Sequence, residues 1–229
     1  MNTIKNPNLS PMAVGRYTDA QGTATPLPYS FDEVERARRW TAIILSTFHF
    51  RTGSNMLLTS QFHEGAQFMP VERAIMSYGM VAVSADAHLY DARRVESITR
   101  GFSLVGAIGI SAETLAGLEQ LGHDPAVMFA DMIVWARPGA YEQLKHSSAL
   151  NVYRIFDVGP TIAIECSAGE GAHIDRREWL IEELNGEIIL TSKLSRSAAF
   201  EAYNTGLKGH LVHGACQCGN ADPRIVLSV

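Results

Sequence analysis

The chain has 229 residues, 46% of them hydrophobic and 19% charged, which suits one packed α/β domain or one domain with a small appended lobe. Its net charge of −5 lacks the basic footprint that nucleic acid or an anionic membrane surface requires, so neither is an expected partner. No apolar run approaches the ~20 residues of a membrane-spanning helix, and Met1–Gly15 has no apolar segment of a secretion signal; the expected location is the cytoplasm.

Residues 1–29, with many Pro, Asn, Gly and Thr, read as irregular. Ser30 followed by Glu33 is a capping box, and Val34, Ala37, Trp40 and Ile44 recur at helical spacing, so a helix is expected over Phe31–Phe48. Short apolar runs then alternate with amphipathic stretches. Strands are expected at Met56–Thr59, Met80–Ser84, Val105–Ile110 and Met132–Ala136. Helices are expected at Pro70–Tyr78, Asp91–Arg100, from the Ser111 cap to about Leu121, and at Ala140–Ser147. This alternation marks βαβ units around a mostly parallel sheet. From Asn151 onward the pattern changes to strands joined by Gly-rich turns: Val152–Phe156, Thr161–Cys166, Glu178–Leu184, Glu187–Ser192 and His210–Val212. Asn185-Gly186 between two of them is a hairpin signal. The expected architecture is a single unit with an α/β base over about 1–150 and a smaller β-rich lobe over about 151–229.

All three cysteines lie past residue 165, and an odd number in a chain of this length is not a secreted disulfide framework. Cys166 ends a strand, His173 follows across a short turn, and Cys216 and Cys218 flank Gln217 in a tight turn ending in Gly219. Three thiolates and one imidazole suit tetrahedral zinc, and such a set closes the coordination sphere as structural sites do. His210 and His213 are nearby substitutes for His173. The alternative is three buried thiols beside a surface histidine.

The stretch from Tyr153 to Leu211, YRIFDVGPTIAIECSAGEGAHIDRREWLIEELNGEIILTSKLSRSAAFEAYNTGLKGHL, followed by CQCGNADPRI, resembles the phenylacetate–CoA ligase family of adenylate-forming enzymes. Members of that family read Y-G-x-T-E, then E-C-x-x-x-x-G-x-H, and close on C-x-C-G-R-x-x-P-R-I. A weaker likeness extends back to about Tyr17. The resemblance implies zinc on Cys166, His173, Cys216 and Cys218, and a fold built to join ATP to a carboxylic acid before acyl transfer to CoA.

The positions that would serve ATP have changed. The family's phosphate loop S-G-T-T-G-x-P falls on Ala20–Pro26, where only Thr23 and Pro26 hold. Its F-G-A-E-P run, whose small residues admit adenine, reads Val134-Trp135-Ala136-Arg137-Pro138. The magnesium-binding glutamate falls on the shorter Asp157, the ribose-clamping aspartate on Leu207, and the preceding arginine on Asn204. The family's C-terminal lid domain and the segment before its phosphate loop find no counterpart between Met1 and Val229. ATP and magnesium are therefore not expected as cofactors of this chain, and Thr23 and Asp157 are read as remnants.

Segments that border the family's acyl pocket fall on Ser60–Gly65 and Arg154–Phe156. Phe62, His63, Trp135 and Phe156 are the candidate substrate pocket, and His63 and Arg154 are the candidate catalytic or carboxylate-orienting groups. Alternatively, the three aromatic rings plug a vacated nucleotide cleft. Gly106-Ala107-Ile108-Gly109 lacks the third glycine of a nucleotide loop, and Asp86, His88, His123 and Asp124 lack metal-ligand spacing. The expected protein is a shortened, zinc-containing homologue that does not itself adenylate and binds an aromatic or acyl small molecule in a biosynthetic or accessory role. Two alternatives stand beside it: an active aryl or acyl acid ligase, and a structural partner of a full-length ligase, as a homodimer or with the larger enzyme.

Overall fold

The computed structural model describes residues 9–19, 21–147 and 150–228. The expected irregular stretch is instead a hairpin over its described part: β1 (Pro11–Thr18) pairs antiparallel with β2 (Ala24–Ser30); residues 1–8 lie outside the described residues. Pro26 and Pro28 hid this strand. They are tolerated because β2 pairs on one side only, so neither missing N–H interrupts a second ladder. Gly15 lets the hairpin lie close on the following layer, since a Cβ there would stand 2.9 Å from the Ala66 nitrogen.

Helix α1 (Phe31–Ser46) starts where the capping box places it: Ser30 Oγ accepts the Glu33 N–H, and Glu33 Oε2 accepts the Ser30 N–H at 2.9 Å. The chain then alternates through β3 (Asn55–Ser60), α2 (Gly65–Ser77), β4 (Val81–Asp86), α3 (Ala92–Gly101), β5 (Leu104–Ile110), α4 (Ala112–Gln120), the short α5 (Pro125–Met128), β6 (Ile133–Ala136) and α6 (Pro138–Leu144). Helix α2 begins five residues ahead of Pro70 and carries the proline inside it, whereas the expected helix started there. α5 was not expected. Strands β4, β3, β5, β6 and β7 (Asn151–Val158) lie side by side and parallel. Side chains alternate across this sheet. Met56, Leu58 and Trp135 pack with α1 and α2, and Leu57, Val134 and Ala136 pack with α3, α4 and α6 on the other face.

Strand β7 is where the sheet changes character. It is parallel to β6 but antiparallel to β8 (Thr161–Glu165), and from there the sheet continues antiparallel through β9 (Ala172–His173), β13 (Arg224–Leu227), β12 (Tyr203–Val212), β11 (Glu187–Ser192) and β10 (Trp179–Leu184). The α/β base and the β-rich lobe therefore share one eleven-stranded mixed sheet. Asn185 and Gly186, at φ 54° and 78°, make the tight β10–β11 turn their sequence calls for. β9 and β13 were not foreseen. No helix among the described residues is long and apolar enough to cross a membrane.

Candidate functional site

The turn after β8 and the turn after β12 bring Cys166, His173, Cys216 and Cys218 to one point, with all four ligand atoms within 4.8 Å of one another. Cys166 Sγ lies 3.6 Å from Cys216 Sγ, and Cys218 Sγ lies 3.5 Å from His173 Nε2. Zn–S and Zn–N bonds of about 2.3 and 2.0–2.1 Å around a tetrahedron imply ligand–ligand edges of roughly 3.5–3.8 Å, so these spacings fit. Cys166, His173 and Cys216 are buried and Cys218 is half-buried. The cluster can hold a metal ion such as zinc.

The surroundings orient these ligands. His173 Nδ1 is 3.1 Å from the Asp222 carbonyl, which only accepts, so Nδ1 carries the proton and Nε2 turns its lone pair toward the thiols. Burial holds the His173 pKa below its ordinary value, which keeps the ring neutral. Burial also pushes the Cys166 and Cys218 thiols up. At Cys216 burial acts the same way, but the Cys218 N–H, the neighbouring thiols and the Arg224 guanidinium outweigh it and bring the thiol down. With burial favouring the protonated form at two of the three cysteines, a bound cation is what would bring all three sulfurs to thiolates. Glu165, fully buried, shapes the first turn: its carboxylate accepts the Gly171 N–H at 2.9 Å and the Arg154 N–H at 2.7 Å. Gly171 has φ 105°, and a Cβ there would stand 2.9 Å from Val226. Glu165 and Gly171 are the E and G of the E-C-x-x-x-x-G-x-H run, and the structure adds what they do: together they shape the Cys-to-His turn.

The other candidates fall in different places. Phe62 is 98% exposed on a 3-10 turn, Trp135 is fully buried against Phe48 and Tyr153, and Phe156 is buried in the separate core of the β-lobe. They form no common aromatic wall and do not pack on one another as a plug. The Trp135 indole N–H donates to the Glu165 carbonyl at 2.9 Å, which holds the ring in place. Arg154 stacks on Tyr141 at 4.0 Å and pairs with Glu165, away from His63. Thr23 is exposed in the β1–β2 turn, where its N–H donates to Asp19; Ala20 of the same loop lies outside the described residues.

His63 and Asp157 do share a cavity. Together with Arg16, Tyr17, Gln67 and Leu207 they line a cavity of about 350 Å³ between the N-terminal hairpin, the start of α2 and the β-lobe. Two residues of its lining, Glu64 and Asp157, share Arg137, which makes two 2.6 Å bonds to Glu64 and reaches Asp157 at 3.6 Å. One Asp157 oxygen is enclosed without a hydrogen-bond partner. Burial pushes this carboxyl up to about 6, Arg137 opposing the shift and Glu64 adding to it. Sequence reasoning missed Glu64 and the role of Arg137, because the pair joins residues far apart in the chain.

No protein-family model and no curated protein matches the chain. Solved structures do. A 2-hydroxyisobutyryl-CoA ligase in an open conformation with 2-HIB-AMP and CoA superposes at TM-score 0.71 and 14% identity, covering 97% of this chain and 57% of that one. The fold is that of adenylate-forming ligases. MatB from Rhodopseudomonas palustris with bound ATP (TM-score 0.57, 9% identity, 99% of this chain and 50% of that one) has the same core. So does a variant of MenE from E. coli with bound OSB-AMS (0.55, 11%, 96% and 48%). The chain thus spans about half the length of the structures it matches. The likeness is to adenylate-forming acyl-CoA ligases broadly and does not single out the phenylacetate–CoA ligase family.

Proposed function

We propose that this chain is a zinc-holding protein of the adenylate-forming ligase fold that does not adenylate an acid by itself and binds an aromatic or acyl small molecule in the cleft beside His63 and Asp157. The observation that carries this reading is the Arg137 guanidinium, 3.6 Å from Asp157 and anchored by Glu64. It places a side-chain cation beside the acid that the resemblance assigns to magnesium. Leu207, in the same cavity, offers no acceptor to a ribose hydroxyl. Trp135 fills with core packing the position where the family keeps a glycine for adenine.

Zinc would be held by Cys166, His173, Cys216 and Cys218. Four protein ligands leave no open position, so its contribution is to folding rather than to chemistry.

Titration calorimetry with Mg–ATP and pyrophosphate exchange across a panel of aryl and acyl acids test the reading. Each lost contact to a charged phosphate is worth roughly 1.5–3 kcal/mol, and every 1.4 kcal/mol is about tenfold, so losing several removes useful affinity. The expected result is no exchange, no micromolar ATP binding, and saturable binding of at least one acid that His63→Ala weakens. Acid-dependent exchange by this chain alone would restore the active-ligase alternative.

A further inference from the structure

The largest cavity among those described is not the His63–Asp157 cleft. It is a groove of about 590 Å³ walled by α1, by the turn that leads into β10 and by the loop segment Cys218–Asp222. Its volume lies within the ~300–1,000 Å³ of small-molecule sites. Cys218 of the metal cluster touches it, but the cleft described above shares none of its lining.

The lining has two parts. Trp40, Ile43 and Leu194 give it an apolar side, and the last two are 45% and 43% exposed. The charged side is arginine-rich: Arg36 and Arg39 come from α1, Arg176 and Arg177 from the turn. Arg36 is bound to Glu178, and Arg176 lies 3.4 Å from Asp222. The acids of the groove are likewise committed. Glu178 also holds Arg196, Asp222 accepts the Trp40 indole N–H at 2.9 Å, and Asp175 accepts the Arg177 main-chain N–H at 2.9 Å. Arg39 and Arg177 therefore have no salt bridge among the described residues, and each faces the groove from a different wall. Arg177 still feels the Asp175 carboxylate, but on a chain of net charge −5 two guanidinium groups without a salt bridge beside open apolar surface, in a groove with four arginines and three acids, are a local inversion.

We propose that this groove is a binding site for a small organic anion, an aryl or acyl carboxylate or phosphate. Its anionic group is gripped by Arg39 and Arg177, and its apolar body lies on Ile43, Leu194 and the edge of Trp40. Guanidinium groups match planar carboxylate and phosphate oxygens through paired N–H donors, and the apolar side supplies what a bare ion would not use. The site is independent of the cleft: the two share no lining residue.

Calorimetry on the whole, metal-replete chain tests it with four probes: phenyl phosphate, benzoate, inorganic phosphate and benzyl alcohol. Phenyl phosphate or benzoate should bind saturably, and the stronger of the two tells which anion the site prefers. Inorganic phosphate and benzyl alcohol should each bind at least tenfold more weakly. The double variant Arg39→Ala, Arg177→Ala should lower the affinity of the better probe at least tenfold. The control pair Arg93→Ala, Arg94→Ala on the exposed face of α3 should leave it unchanged, as should His63→Ala, which reports on the cleft. Both arginines are exposed, so a thermal melt matching wild type confirms that the double variant is folded. Inorganic phosphate binding as well as phenyl phosphate, or an affinity indifferent to the arginine pair but sensitive to His63→Ala, would overturn the proposal. So would the absence of saturable binding by any probe.

Discussion

Asp157 sits in the cleft with one oxygen lacking a hydrogen-bond partner, and its raised pKa makes a pH-dependent prediction. Below pH 3.8 the carboxyl is protonated in both folded and unfolded chains and contributes nothing. Between there and about 6 the folded protein binds more protons than the unfolded one, so stability falls as pH rises, and the cost is complete above about 6. Unscreened, that gap would be worth ~3 kcal/mol. The side chain is 42% exposed, however, and water screens it, so a cost of about 1 kcal/mol is the better figure. Asp157→Asn is expected to raise Tm by about 2–4 °C at pH 8 and by nothing at pH 4, as read by thermal melts at both pH values. Glu64 keeps Arg137 in place in that variant. A gain of the same size at both pH values would mean that the charge is not its source. The metal centre makes a second prediction at this scale. Cys218→Ser removes the one half-buried ligand, and metal analysis should then fall clearly below the ratio of about one per chain expected of wild type.

At the level of elements, the start of α1 is unusually well anchored, because Glu33 serves more than the cap. Its Oε2 accepts from Ser30 and from the Ser197 N–H at 2.8 Å, and its other oxygen pairs at 3.1 Å with the buried Arg196. Ser30→Ala should cost about 1–2 kcal/mol in urea unfolding, the ordinary loss of an N-cap. Glu33→Ala should cost about 3 kcal/mol or more, since it also strips a partner from a buried guanidinium. A milder effect for Glu33→Ala than for Ser30→Ala would contradict this. The same helix shows what was legible beforehand. Ser30, Glu33 and the apolar spacing lie within one segment, so both cap and helix could be read from neighbours in the chain. Cys166 with His173 and Cys216 with Cys218 were legible for the same reason, each pair being local. What was not legible depended on distant partners. β9 is two residues long and exists only because β8 and β13 flank it. The β2 prolines are acceptable only on an unpaired edge. Glu64 meets Arg137 only after the parallel sheet has formed. Phe62, Trp135 and Phe156 pointed toward one pocket by resemblance, yet strand alternation and the turn at Phe62 sent them to three different environments.

On the scale of the whole molecule, the metal centre sits at the narrowest point of the eleven-stranded sheet. β9 joins β8 through Ile164–His173 and Glu165–Ala172, and joins β13 through His173–Arg224 and Ala172–Ile225. Among the described residues those few pairs are the only ladder between the β7–β8 side of the sheet and β10 to β13. A metal on Cys166 and His173 at one side and on Cys216 and Cys218 at the other would clamp the same junction that the ladder holds weakly. Chelation should therefore loosen the sheet from this point outward instead of melting it evenly. The measurement is hydrogen exchange with and without a strong zinc chelator. Amides of β9, β13 and the 214–222 loop should lose protection first, followed by β12. Those of β5 and β6 should keep most of theirs, because one face of these strands packs on α3, α4 and α6 and shares no residue with the metal site. Tm should fall by about 10 °C or more, given the several kcal/mol that a structural zinc contributes to folding. Unchanged exchange after verified metal loss would separate the cluster from stability altogether. A uniform rise across β5, β6 and β9 would show that the base and the lobe unfold as one cooperative unit.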